Sequence, residues 1–225
     1  MNLFPGFGPL LLTVKLAGLT TLILLIIGTP IAWWLATTRT RAKPLIETFV
    51  ALPIVLPPTV MGFYLLVLLS PQGVIGGWWL ELTGDTLTFT FTGLVIASVI
   101  YSFPFVVQPL QSAFESVSHG LMEVAHTLGA KPLDAFFSVA VPLAKRGFLT
   151  ATVLGFAHTL GEFGVVLMVG GNIPGETRVI SIAIYDHVEM LEYGKAHVLA
   201  AILLSFAFLA VLIMYSVNHQ QARKR

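Results

Sequence analysis

The chain has 225 residues, of which 56% are hydrophobic and only 10% charged, and its mean hydropathy is +0.88. A soluble domain of this size cannot hide so much apolar surface, because its exterior must still be wetted. Lys and Arg (12) nearly balance Asp and Glu (11), and cysteine is absent, so an ordinary soluble enzyme, a nucleic-acid binder and a disulfide or thiolate scaffold are excluded in favour of a small polytopic membrane protein.

A bilayer core about 30 Å thick needs roughly 20 apolar residues in helical form. Five stretches meet this in chain order: 16–36, 49–70, 89–110, 148–169 and 197–217. The fourth is interrupted only by His158 and Glu162. Open strands would leave backbone groups unpaired in lipid, so the expected fold is all-α with five transmembrane helices in a single domain over residues 1–225. Residues 1–12 lack a basic leader, and no cleavage site of small residues follows, so the first span is expected to be retained.

Loop charges orient the spans. Arg39, Arg41 and Lys43 follow the first, Lys131, Lys145 and Arg146 lie between the third and fourth, and Arg223, Lys224 and Arg225 end the chain. All fall on one side, which is expected to be cytoplasmic, with the C-terminus there and the N-terminus periplasmic. The segment 71–88 has no basic residue, and Lys15, Arg178 and Lys195 fall on the outer side. Trp33, Trp34, Trp78 and Trp79 lie near the expected interfaces, as belt anchors do.

The spans are not plain anchors. Pro53, Pro57 and Pro58, followed by Thr59, crowd the second, and three such residues remove donors and bend or break a helix. Broken backbone at membrane depth survives where protein or a water-filled cavity covers it, which favours a transport path through Pro57, Pro58 and Thr59. Glu162 is the one acid inside a span, flanked by Gly161, Phe163 and Gly164, with His158 one turn earlier on the same face. A gate or hinge and a hydrogen-bonded packing role both fit it. No basic residue lies mid-span; the spans offer only hydroxyls such as Thr59, Ser98, Tyr101, Ser102 and Thr159, which suits weak, hydrated passage of an anion over tight binding.

Residues 117–147 form the longest loop on the basic side. Leu121, Ala125 and Leu128 recur at helical spacing, and Gly129 supplies a helix stop. A second short helix is expected from Lys131-Pro132 through Phe136 and Phe137, closed by Pro142. Apolar residues on helices outside the bilayer call for a partner that receives a helix in a groove. Glu123-Val124-Ala125, then three residues, Gly129, nine residues and Val139-Ala140-Val141-Pro142 resembles the EAA loop of ABC importer permeases. Val124 replaces the family's first alanine, and Val139 and Val141 its isoleucine and leucine.

Leu52-Pro53, Leu56-Pro57-Pro58, Ser102-Phe103-Pro104, Leu160-Gly161-Glu162-Phe163-Gly164 and the run from Asn172 to Arg178 narrow the resemblance to molybdate permeases, with tungstate and sulfate permeases as the alternatives. The resemblance implies the type I importer permease fold, residence in the bacterial inner membrane, a homodimer, a cytoplasmic ATPase subunit gripping Glu123, Ala125, Gly129, Val139 and Pro142, and a periplasmic molybdate-binding protein. No G-x-x-x-x-G-K-[ST] loop occurs in the chain, so ATP hydrolysis is expected in the partner. Arg178, in the outer loop near Glu176, attracts the arriving anion, meets the binding protein or pairs with Glu176. Asp186-His187-Val188-Glu189 has metal-ligand residue types but no second cluster, so no metal and no cofactor are expected. An ion-driven carrier would need more ionisable groups in its spans than Glu162.

Overall fold

The computed structural model describes residues 6–117 and 119–223, and their side chains except at 119, 126 and 217–223. The expected periplasmic N-terminus (residues 1–5), and Lys224, Arg225 and the Arg223 side chain at the expected cytoplasmic C-terminus, lie outside the described residues. Every regular element among the described residues is helical.

Helix α1 runs from Gly8 to Thr37 without interruption, although Pro30 lies inside it. Thr13, Thr21, Thr29 and Thr37, eight residues apart, each return their hydroxyl to the carbonyl four residues earlier, at 2.6 to 2.9 Å. This satisfies polar groups that lipid cannot. The apolar stretch 49–70 is two helices, α2 (Lys43–Val55) and α3 (Pro58–Leu69), bent by 110°. Pro57 is extended (φ −55°, ψ 138°) and Pro58 opens α3. A proline disfavours helical geometry in the residue before it and suits the first helical position, so adjacent prolines set both sides of the bend.

Helix α4 (Val74–Thr83) ends at Gly84, which takes the left-handed conformation. Helix α5 (Phe91–Glu115) is capped by the Thr90 hydroxyl and stays helical through Pro104 and Pro109. The loop 117–147 contains α6 (His119–Thr127), α7 (Pro132–Ala135), a π-helical turn over Phe136–Ala140, and α8 (Val141–Leu143). This helical run ends at Leu143, one residue past Pro142, and a 71° bend follows at Ala144, before α9 (Lys145–Leu160).

The stretch 148–169 is not one helix either. Helix α9 stops at Leu160, and α10 resumes over Gly164–Gly170. Helices α11 (Ile180–Glu189) and α12 (Tyr193–Arg223) complete the chain. Three helices, α1, α5 and α12 (the last through Ser216), are long and apolar enough to cross a bilayer, and up to five crossings result if each bent pair is one span.

Helices α1, α5 and α9 make the centre, with Leu24, Leu35, Val106, Val107, Leu110 and Ala151 fully buried. Small residues bring their axes close: a Cβ on Gly147 would lie 2.2 Å from the Cβ of Ala113, and one on Gly155 2.5 Å from a Val106 methyl. Helix α12 instead exposes Leu204, Phe208, Leu209 and Ile213, an apolar exterior matched to lipid.

The two ends of the bundle differ. At one, Trp33 meets Phe114 (5.3 Å between ring centroids) and Phe136 (5.2 Å), and Phe114 meets Phe148 (5.9 Å). These rings fasten the 117–147 segment to the ends of α1 and α5, and there Lys43 pairs with Glu115 at 3.1 Å. That pair ties the start of α2 to the end of α5. At the other end, Thr13 accepts the backbone N–H of Ile180 (2.8 Å), and the Lys15 ammonium lies 4.5 Å from the centre of the Phe91 ring.

Candidate functional site

The gap between α9 and α10 is the chemical centre of the bundle. Gly161 ends α9 at φ −90°, ψ 0°, and Phe163 takes φ −131°, ψ −65°. Two glycines flank Glu162, and glycine holds a helix poorly. The turn points the Glu162 side chain inward, where the residue is only 4% exposed. Ser98 donates to its Oε2 at 2.5 Å and Ser102 to its Oε1 at 2.8 Å. The two serines are one helical turn apart on α5, so they present both hydroxyls on one face. The Ser181 hydroxyl, from α11, donates to the Glu162 backbone carbonyl. One residue thus ties α5 and α11 to the break between α9 and α10.

The network extends to His158 and Thr159. Ser102 Oγ lies 2.9 Å from His158 Nδ1 and 3.0 Å from Thr159 Oγ1, and Thr159 also donates to the Gly155 carbonyl at 3.0 Å. The His158 ring stacks on Phe105 at 3.8 Å and sits 4.9 Å from Tyr101, while its Nδ1 is 3.7 Å from Glu162 Oε1.

A cavity of about 550 Å³ opens beside the break. Pro58, Thr59, Gly161, Glu162, Phe163 and Gly164 line it together with Tyr101, His158 and Met168. The structure thus brings two distant sequence clusters, the proline bend and the Gly-Glu-Phe-Gly turn, to one place. Pro57 stands at the bend beside them. The approach is close: a Cβ on Gly164 would lie 2.9 Å from Pro58 Cβ, and one on Gly62 2.9 Å from Met168 Cβ.

The loop pattern lies at the aromatic end. Glu123 and Ala125 are on α6, and Gly129 ends that helix at φ +88°, with the Ala130 N–H returning to the Ala125 carbonyl (3.0 Å). Val139 belongs to the π-helical turn and Pro142 to α8. Val124 (57%), Leu128 (82%), Leu133 (71%) and Phe137 (65%) are exposed beside them. Glu123 also borders a cavity of about 320 Å³ with Trp33 and Arg39.

At the opposite end, Arg178 is held by Asn172 (Nε to Oδ1, 2.6 Å) and by Asp186 (3.4 Å). Asn172 in turn donates to both Asp186 carboxylate oxygens at 2.7 Å. Asp186, not the neighbouring Glu176, is therefore the carboxylate that pairs with Arg178 in the described structure. His187, next in sequence, turns to Glu192 at 2.8 Å, and Lys195 joins the same carboxylate at 2.7 Å. Hydrogen bonds from Lys195 and His187 hold the Glu192 carboxyl below its ordinary pKa. Among the described residues no group of three or more His, Asp or Glu side chains is arranged to hold a metal.

Sequence reasoning missed the roles of Ser98, Ser102, Ser181 and Asp186. The serine pair carries a usable signal, since hydroxyls four apart on an apolar helix can serve one buried acceptor. Nothing local in the sequence links Asp186 to Arg178.

Residues 13–225 match the family model described as binding-protein-dependent transport system inner membrane component. The chain is 60% identical over 211 residues to the molybdenum transport system permease protein ModB of Azotobacter vinelandii, covering 94% of this chain and 93% of that one. It is 34% identical to a probable sulfate transport system permease protein of Prototheca wickerhamii, covering 93% of this chain and 81% of that one. A bacterial ABC transporter involved in the import of the acidic polysaccharide alginate has the same fold. It gives a TM-score of 0.74 at 19% identity, covering 96% of this chain and 79% of that one.

Proposed function

Because the chain belongs to the family of binding-protein-dependent transport system inner membrane components, and is thus a multi-pass transport subunit of the inner membrane, we propose that it passes molybdate into the cytoplasm as the permease of an ATP-driven importer. The observation that carries this reading is the 60% identity to a molybdenum permease along nearly the whole of both chains. Identity to the sulfate permease is 34%, which makes sulfate the second reading.

Accumulating a dianion against an inside-negative potential costs about 2.3 kcal/mol per charge per 100 mV. The chain has no phosphate-binding loop, so a cytoplasmic ATPase subunit supplies that energy. Glu123, Ala125, Gly129, Val139 and Pro142 form the part it grips. The exposed apolar residues Val124, Leu128 and Leu133 beside them suit a groove. The aromatic end, which carries Arg39, Arg41, Lys43, Lys131, Lys145 and Arg146, faces the cytoplasm. On this orientation the N-terminus is periplasmic and the C-terminus cytoplasmic, and the Arg178 end meets a periplasmic molybdate-binding protein. Arg178, fixed by Asn172 and Asp186, offers that partner or the arriving anion a preorganised cation.

Two copies enclose the path about a twofold axis. Val60, Phe63, Tyr64 and Val67 leave an apolar α3 surface exposed beside the cavity. Pro57, Pro58, Thr59, Gly161, Glu162, Phe163 and Gly164 form the path and its gate, where one rearrangement of the α9–α10 break moves α3 and α5 together.

The test is uptake of radiolabelled molybdate by vesicles containing the permease, its ATPase and its binding protein. Uptake is expected only with ATP inside the complex's working compartment, suppressed by excess tungstate and little affected by equal sulfate. Stronger suppression by sulfate than by tungstate would assign the chain to sulfate.

A further inference from the structure

The cavity beside the α9–α10 break lacks any lysine or arginine, yet a tetrahedral oxyanion crossing it must shed part of its hydration. Three groups on its wall have no hydrogen-bond partner among the described residues. Thr59 is the second residue of α3, with the extended Pro57 before it, so no helical carbonyl lies four residues back for its hydroxyl. Elsewhere in the bundle, threonines such as Thr21 and Thr152 spend their hydroxyls on that carbonyl. The Tyr101 hydroxyl has no partner either, and the third group is His158 Nε2.

Proton counting defines what His158 offers. Beside an ionised Glu162, Ser102 gives its one proton to Oε1, and Thr159 donates to Ser102 Oγ or to the Gly155 carbonyl. The 2.9 Å contact between Ser102 Oγ and His158 Nδ1 then needs a hydrogen on Nδ1. In the neutral ring Nε2 is consequently bare and can only accept. A fully deprotonated oxyanion also only accepts, so the two repel. A protonated ring instead directs an Nε2–H donor and a positive charge at the cavity, with the Glu162 carboxylate 3.7 Å behind it as counter-ion. The titratable groups facing this ring are Glu162 from the break and Tyr101 from α5. The cavity walls from α3 and α10 bring none.

We propose that Thr59, Tyr101 and His158 form a transient oxyanion-binding station in the transport path, occupied when His158 carries a proton and its charge is balanced by Glu162. This rests on the functional reading above and adds the residues that touch the cargo. Weak, proton-linked contact fits a path that must release what it binds. Thr59 comes from the proline bend and His158 from the last turn of α9, so relative movement of α3 and α9 would disassemble the station.

The test uses the full complex in vesicles with molybdate as the probe. Thr59→Val and Tyr101→Phe preserve shape and remove one hydroxyl each, and His158→Gln keeps polarity without titrating. Yield and co-elution with the ATPase report folding. Each variant is expected to lower uptake about tenfold. Uptake by the unaltered complex should fall as pH rises, relative to ATP hydrolysed, and this dependence should vanish in His158→Gln. If His158→Gln does not assemble, the two hydroxyl variants decide the matter. Normal uptake by the unaltered complex with undiminished uptake in Thr59→Val and Tyr101→Phe, or an unchanged pH profile in His158→Gln, would overturn the station alone. No ATP-driven molybdate uptake by the unaltered complex would overturn the functional reading and the station with it.

Discussion

Replacing Glu162 with glutamine is expected to leave the importer assembled but to cut molybdate uptake to about a tenth or less. The carboxylate accepts from Ser98 on one oxygen and from Ser102 on the other. A glutamine amide has one acceptor oxygen and one NH2 group. Whichever way it turns, one serine loses its acceptor and meets a donor. A hydrogen bond to a charged group contributes about 1.5–3 kcal/mol, and a buried polar group left unpaired costs a similar amount. The loss falls on the point where α5 meets the α9–α10 break, while Ser181 still holds the Glu162 carbonyl from α11. Glu162→Ala should be more severe, since both serines lose their acceptor and a void opens. Co-elution of the subunits together with vesicle uptake checks this, and undiminished uptake by the glutamine variant would contradict a gating role.

The second large effect is expected at Gly129. Its φ of +88° is a conformation that β-branched residues avoid, yet a Cβ there would meet nothing within 4 Å. The penalty is therefore one of backbone conformation, about 1–3 kcal/mol. Gly129→Val should unwind the end of α6 or redirect α7, displacing Glu123 relative to Val139 and Pro142. Co-purification of the ATPase and coupled uptake should fall at least about tenfold. Gly129→Asn should retain most of both, because asparagine tolerates left-handed backbone. If valine coupled as well as asparagine, the turn would have no part in docking.

How much of this was legible in the sequence depended on the range of the forces involved. The helical, multi-pass architecture follows from long apolar runs with few charges, and α1, α5 and α12 take up three of those runs and extend past them. Pro53, Pro57 and Pro58 announced a disruption but not its size, because a 110° bend is set by what α3 packs against. Pro104 and Pro109 carry the same local signal, yet α5 stays helical, enclosed by α1, α9 and α10. The end of α9 at Leu160 was hidden in an apolar run, since hydropathy does not register that Glu162 turns inward to two serines more than fifty residues away. The pattern from Glu123 to Pro142 was readable because its spacing is local. The pairing of Arg178 with Asp186 was not, because it depends on how α11 folds back.

The 117–147 segment is proposed as the part of the permease that an ATPase grips. Leu128 is 82% exposed at the end of α6, and the chain has no cysteine to interfere with a single reporter. A Leu128→Cys variant, paired with cysteines placed along the surface groove of the ATPase subunit, should crosslink within the assembled importer, and the yield should change when nucleotide is added. Failure to crosslink in a complex that still imports molybdate, or labelling of this cysteine by a membrane-impermeant reagent from the periplasmic side, would contradict it.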